Sequence, residues 1–384
     1  MNSLKCVVDM AFQILWIKDF VMKSVRRKAL FLWSYIYGLI NRHPDVIVQF
    51  FPLKGYYLLC LVIYLQITKE LPDEGWNDSS ESLYTPPPTK PNEAFNSDSM
   101  DPEITFVTAY FGLGRFKKGE GNLYFDVENY SKWMNQFANF NNNVIAFTDV
   151  PEVANQLFIL RKHLPKERTK IYMKNQDDMW AFKLAPKIKK IFAQPDYPKY
   201  HPNTVLERYP CAMHAKYELI ETVIRERMFQ TKYLAWIDIG YFRNDYGKTF
   251  HLDIPSDFRN DHIAFVQMGK FERCRTASSI IKDNIFWIAG GIFIARPEYL
   301  IVFIEDYKRA VENLISRNLM STDQQVIYIM YTKAEDMRPR LPVQTYSAFC
   351  KCDWFYLGKR CIEEWRKSLK PQSKVIEAFH RNML

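Results

Sequence analysis

Seven cysteines scattered through 384 residues are too few for a disulfide scaffold. Cys6 and Cys60 lie outside the expected main domain. Of Cys211, Cys274, Cys350, Cys352 and Cys361, an oxidising compartment would bridge one or two pairs and leave at least one thiol unpaired. Cys350-Lys351-Cys352 has no recognised metal spacing. The seven histidines form no metal-spaced pair, and there is no Gly-x-Ser-x-Gly elbow or Cys/His constellation. Neither a dinucleotide fingerprint nor a P-loop is present. No internal repeat appears. Long apolar runs are also scarce. The strongest, 55–68, is short of the roughly 20 residues a bilayer core requires.

Extension of that run back to Val46 gives a span at 46–68, in which Lys54 can snorkel to the interface. Lys23, Arg26, Arg27, Lys28 and Arg42 precede it, and Glu70, Asp73 and Glu74 follow, so the basic side is expected to face the cytoplasm. The expected organisation is a cytoplasmic segment at 1–45, an uncleaved signal anchor at 46–68, a flexible stem at 69–100 and one domain at 101–384. The apolar stretch 29–40 reads as an interfacial or packed helix. The stem is rich in Pro, Ser, Asn and acid and cannot build a core. Sequons at Asn77 and Asn129 agree with a luminal domain, in the Golgi or endoplasmic reticulum.

Charge follows this division. Residues 1–54 carry eight Lys/Arg against three Asp/Glu and residues 69–100 carry two against seven, which leaves 42 against 33 on 101–384. A basic domain favours anionic ligands. No nucleic-acid-binding module is recognisable.

From Asp101 short β-rich runs alternate with amphipathic helical stretches, the pattern of an α/β sheet. Strands are expected at 104–111, 144–148, 233–239, 263–267 and 286–295. Met213, Tyr217, Ile220 and Ile224 share one helical face, as do Leu300, Phe303, Ile304, Tyr307, Val311 and Leu314 beyond Pro297.

Trp236-Ile237-Asp238-Ile239-Gly240 ends an apolar strand in a carboxylate and a glycine, and Arg243 follows. Ligands of open sheets sit beyond the carboxyl ends of the strands, and an oxygen ligand there suits Mg²⁺ or Mn²⁺ on a diphosphate. Gly240 would let the ligand approach the backbone. Equally, Asp238 could cap the turn and Gly240 supply a positive φ. The first strand runs through Thr108, Ala109 and Tyr110 into Gly112-Leu113-Gly114-Arg115, where Tyr110 could stack on a base and Arg115 pair with phosphate, or where a plain turn could lie. Gly290-Gly291 marks something lying against a strand backbone: a sugar, a helix or a bulge. Thr322 and Gln325 suit a capping box, which would make Asp323 a favourable charge at a helix start. His380, behind 375–379, is a candidate metal ligand or a solvated tail residue.

Taken in order, these segments resemble the bacterial HtrL/YibB family, which includes WlaTC-type sequences and is regarded as glycosyltransferase-like. The resemblance runs from 105–111 and Gly114-Arg115, through Tyr130, Trp133, Asn142 and 144–149, to Trp236-Ile237-Asp238-Ile239-Gly240-Tyr241, Gly290-Gly291-Ile292-Phe293 and Asp323-Gln324-Gln325. More distantly, the layout is similar to GT-A glycosyltransferases, especially the retaining glycogenin-like group. That similarity implies a GT-A-like nucleotide-diphospho-sugar transferase fold with a mixed, mainly parallel central sheet flanked by helices. It also implies transfer of a sugar, from a UDP-sugar by preference, to a glycan or glycoconjugate, with retention of configuration.

The site residues so implied are Asp323 and Gln324 as catalytic residues. Thr108, Ala109, Tyr110, Arg115, Asp238, Gly240, Gly290 and Gly291 are implied at the donor, and Asp238 and His380 at a divalent cation, Mn²⁺ or Mg²⁺. Two positions depart from the pattern. Gly240 replaces the second Asp of Asp-x-Asp, and Ile288 stands where Asn is usual. Without the metal, Arg115 and Arg243 would have to stabilise the diphosphate. The competing expectation is a non-catalytic, membrane-tethered glycan-binding protein that kept the fold.

Overall fold

The computed structural model describes residues 101–243, 249–348 and 352–369. The expected segments 1–45, 46–68 and 69–100, the stretch 29–40, Cys350 and His380 lie outside the described residues. Among the described residues no helix is long and apolar enough to cross a membrane.

The chain runs β1 (Asp101–Tyr110), a hairpin of β2 (Phe116–Lys117) and β3 (Tyr124–Phe125), α1 (Val127–Met134), β4 (Asn143–Thr148), α2 (Pro151–Arg161), β5 (Thr169–Met173), α3 (Trp180–Lys183), α4 (Ala185–Phe192), α5 (Arg208–Arg225) and β6 (Thr231–Ile237). It continues through β7 (Ile263–Gln267), α6 (Ala277–Lys282), β8 (Ile288–Ala295), α7 (Pro297–Ser316), α8 (Asp323–Tyr331), β9 (Val343–Tyr346) and α9 (Tyr356–Ser368).

Seven strands form one sheet in the order β5-β4-β1-β6-β8-β7-β9. Strand β8 is antiparallel to both β6 and β7, and every other pairing in this sheet is parallel. The fold is therefore α/β with a mixed, mainly parallel sheet. All five expected strands form. Strand β6 stops at Ile237, so Asp238 stands just past its carboxyl end.

Alternating side chains divide the core between the two faces of the sheet. Ile104, Phe106 and Tyr110 of β1 join Val144 and Ala146 of β4 and Tyr233, Ala235 and Ile237 of β6 on one face, closed by Met134, Leu157 and Leu357. Val107, Ile145, Leu234 and Trp236 face the other way, against Tyr217, Ile220 and Ile224 of α5 and Phe303, Tyr307 and Val311 of α7. Helix α7 thus buries the whole expected stripe, with Pro297 in its first turn, and α5 buries Tyr217, Ile220 and Ile224, while Met213 is half-buried and lines a cavity. At Thr322 no capping box forms: its hydroxyl donates to Gln325 Oε1 at 2.6 Å, which takes up the side chain that would have reached back to the backbone.

Chain order reverses at β1. Strands β4 and β5 extend the sheet on one side of it and β6 is laid down on the other, which opens a crevice beyond the carboxyl ends of β1 and β6.

Candidate functional site

Strand β8 carries a bulge that shapes this crevice. Against β7 the register jumps from Phe265 opposite Phe293 to Val266 opposite Ala289, so Gly290 to Ile292 leave the ladder on that side. Buried carbonyls released in this way need new donors. Lys216 Nζ supplies one to Gly290 O at 2.8 Å, while on the β6 side the Asp238 N–H donates to Gly291 O at 2.8 Å and continues that pairing. A Cβ on Gly290 would lie 2.3 Å from Asp323 Oδ2. What lies against this backbone is the first residue of α8.

Lys216 is the centre of the arrangement. It projects from α5 with its side chain 2% exposed, and its ammonium lies 3.1 Å from Asp238 Oδ1 and 3.2 Å from Asp323 Oδ2. Trp236 Nε1 donates to Asp238 Oδ1 at 2.7 Å, and the Tyr217 hydroxyl donates to Asp323 Oδ2 at 3.4 Å. Burial pushes the Lys216 ammonium down, but Asp238 and Asp323 together more than reverse this and leave it above its ordinary range. Burial pushes the Asp323 carboxyl up and nearby Asp238 adds to the rise, with Lys216 pulling the other way. One ammonium thus holds two carboxylates from different parts of the chain. The Asp238 side chain remains 38% exposed and lines the crevice.

The cavity has a volume of about 390 Å³. It brings together Ala109 and Tyr110 from β1, Asp238 and Gly240 after β6, Gly290 and Gly291 from β8, and Asp323 and Gln324 from α8. The Gln324 amide is fixed at the wall by donating to Ile288 O at 2.8 Å. Tyr110 is buried against Tyr130, their ring centroids 5.3 Å apart, and burial, with Asp149 and Asp126 adding to it, raises its phenol to about 12.

Other expected donor residues lie elsewhere. Thr108 is wholly buried inside β1 and does not line the cavity. Arg115 is exposed over the Tyr124 ring at 4.7 Å, on the hairpin and off the cavity wall. Gly240 has no positive φ. It is small because Trp133 packs on it: a Cβ there would meet Trp133 Cε3 at 2.8 Å.

Sequence reasoning missed Lys216, although a lysine between Met213 and Ile220 on an apolar helical face was a readable signal. It also missed the brace behind the β1 loop. There Asp149 accepts the Gly112 N–H at 2.9 Å and an amide proton of Gln176, whose own oxygen is held by Arg208.

A divalent cation fits the described residues poorly. They contain no group of three His, Cys, Asp or Glu side chains that could hold a metal. Asp238 Oδ1 is already shared by the Trp236 N–H and the Lys216 ammonium, which would repel a second cation. The four described cysteines are free, Cys211 and Cys361 buried and Cys274 and Cys352 exposed.

Residues 102–361 match a family model described as "Bacterial protein of unknown function (HtrL_YibB)". The chain belongs to the HtrL/YibB family. All the cavity residues named above fall inside the matched HtrL/YibB region. The apo crystal structure of mouse xyloside xylosyltransferase 1 is similar over 66% of this chain and 89% of that one, with 10% identity and a TM-score of 0.36. No curated protein matches the chain.

Proposed function

We propose that this HtrL/YibB-family chain is a GT-A-like glycosyltransferase that moves a sugar from a nucleoside diphosphate sugar, a UDP-sugar by preference, to a glycan or glycoconjugate. The observation that carries this reading is the Lys216 clamp, which sets Asp238 and Asp323 at the wall of a crevice where an open α/β sheet takes its ligands. Its size suits a nucleotide sugar, and its lining combines aromatic rings with polar groups. In this reading Tyr110 flanks the base and Asp238 the ribose or diphosphate. Asp323 meets the sugar hydroxyls across the bare backbone of Gly290 and Gly291, and Gln324 stands near the anomeric carbon, with retention of configuration.

The same proposal places the domain in the Golgi or endoplasmic reticulum lumen behind an anchor at 46–68, supported by the basic residues before that run and the acidic residues after it. The rival reading, a tethered glycan-binding protein without catalysis, draws on the closure of Gly240 by Trp133.

Donor turnover by the native chain separates the two, and Asp238→Asn tests the site. The variant keeps the shape and the Trp236 bond but removes one of the two charges that hold Lys216, so the unfolding midpoint should fall while the chain still folds, with Asp323 left as the ammonium's partner. Turnover of the donor should fall at least about 100-fold. Undiminished turnover would remove Asp238 from the mechanism.

A further inference from the structure

Three rings that line the crevice, Tyr209, Phe116 and Phe125, belong to a run of aromatic contacts that extends to Trp133 and carries cations. Tyr209 meets Phe116 with centroids 5.5 Å apart, Phe116 meets Phe125 at 6.2 Å, and Phe125 meets Trp133 at 5.0 Å. At one end Lys118 lies over the Tyr209 ring at 4.8 Å and donates to its hydroxyl at 2.6 Å. At the other end Arg243 lies 4.3 Å over Trp133, and its Nε donates to Gly240 O at 2.9 Å. Both cations line the same cavity as Asp238 and Asp323.

Charge in the cavity is unequally committed. Lys216 is shared between two carboxylates, while among the described residues neither Lys118 nor Arg243 forms an ion pair. Among the described residues, rings, the Tyr209 hydroxyl and the Gly240 carbonyl hold these two in place. A guanidinium stacked on an indole and anchored through Nε keeps its terminal N–H groups available in a planar fork that suits a phosphate. The position at which a second carboxylate would gather a divalent ion is Gly240, and the space beside it is filled by Trp133.

We propose that Arg243 and Lys118 form the diphosphate subsite of this crevice and neutralise a nucleoside diphosphate with side-chain cations in place of a bridging metal ion. The inference rests on the nucleotide-sugar reading above. It assigns to Trp133 the task of aiming Arg243, and it explains why a glycine stands at position 240: a side chain there would displace the ring that carries the cation.

Calorimetric titration of the full chain with UDP, GDP and ADP tests it, first in excess EDTA and then with saturating Mn²⁺. At least one nucleotide should bind in EDTA, with Mn²⁺ changing its affinity by less than about threefold. Arg243→Gln should weaken that nucleotide about tenfold or more, and Lys118→Gln by several-fold, while the matching nucleoside stays within about twofold. Arg243 is exposed, so its glutamine variant should fold, and an unchanged unfolding midpoint would show this. Binding that needs Mn²⁺ and vanishes in EDTA would overturn the proposal and leave the nucleotide-sugar reading standing. So would unaltered affinity in both variants. If no nucleotide binds in either condition, the nucleotide-sugar reading falls and this inference falls with it.

Discussion

Lys216→Met keeps the length of the side chain but removes its ammonium, which leaves the Asp323 carboxylate buried with the Tyr217 hydroxyl as its remaining side-chain donor and Gly290 O without one. Loss of one partner from a buried pair should lower the unfolding free energy by on the order of 3 kcal/mol. Chemical denaturation checks this, and a loss under about 0.5 kcal/mol would mean that the clamp is not structural. The residues of the clamp differ in how far the chain alone reveals them. Asp238 announced itself, because a carboxylate that ends an apolar strand has a place dictated by sheet geometry. The importance of Gly290 was legible, but the Asp323 carboxylate lying against it was not: that contact joins residues 33 positions apart through a bulge no local pattern encodes. Lys216 was hidden for a related reason. Its two acidic partners lie 22 and 107 residues downstream, so only the packed fold reveals that a buried lysine is satisfied.

Helix α5 supplies more than the clamp. Two residues before Lys216, His214 is fully buried, with Nδ1 2.7 Å from the Tyr307 hydroxyl and Nε2 3.2 Å from Met320 Sδ. Burial first, and the nearby Lys216 charge second, push its imidazole down to about 3. The unfolded chain takes up this proton near the ordinary value of about 6.5, whereas the folded chain does so only near 3. Between those limits the unfolded state holds more protons, so this group's contribution to stability is complete above about 6.5 and is lost as pH falls toward 3. The slope is at most about 1.4 kcal/mol per pH unit. Urea midpoints for the native chain should therefore drop more steeply between pH 6 and pH 4, roughly the middle of that window, than those of His214→Gln. Parallel curves would show that His214 does not titrate on unfolding. Long periodic elements such as α5 and α7 were legible from their apolar faces, and the central strands from their β-rich runs. The edge strands β5 and β9 escaped because they are short and only partly buried, so they carry little hydrophobic signal.

At the scale of the molecule, the reversal of chain order at β1 makes a site from distant segments. It brings residues from 109 to 355 to one cavity, and places the aromatic wall, the clamp and the bulge around a single opening. The α/β class could be read from the alternation of strand and helix patterns, but the reversal of β8 could not, since strand direction leaves no mark on composition. The net positive charge of 101–384 gains a local meaning in Lys118 and Arg243, which are free of acidic partners among the described residues. The central claim is that this opening binds and activates a nucleotide sugar. Its most direct test is to incubate the full chain with a panel of UDP-, GDP- and CMP-linked sugars and measure release of the free nucleotide. The account predicts release from at least one donor, lost in Asp238→Asn. No release from any donor, or equal release by both proteins, would contradict it.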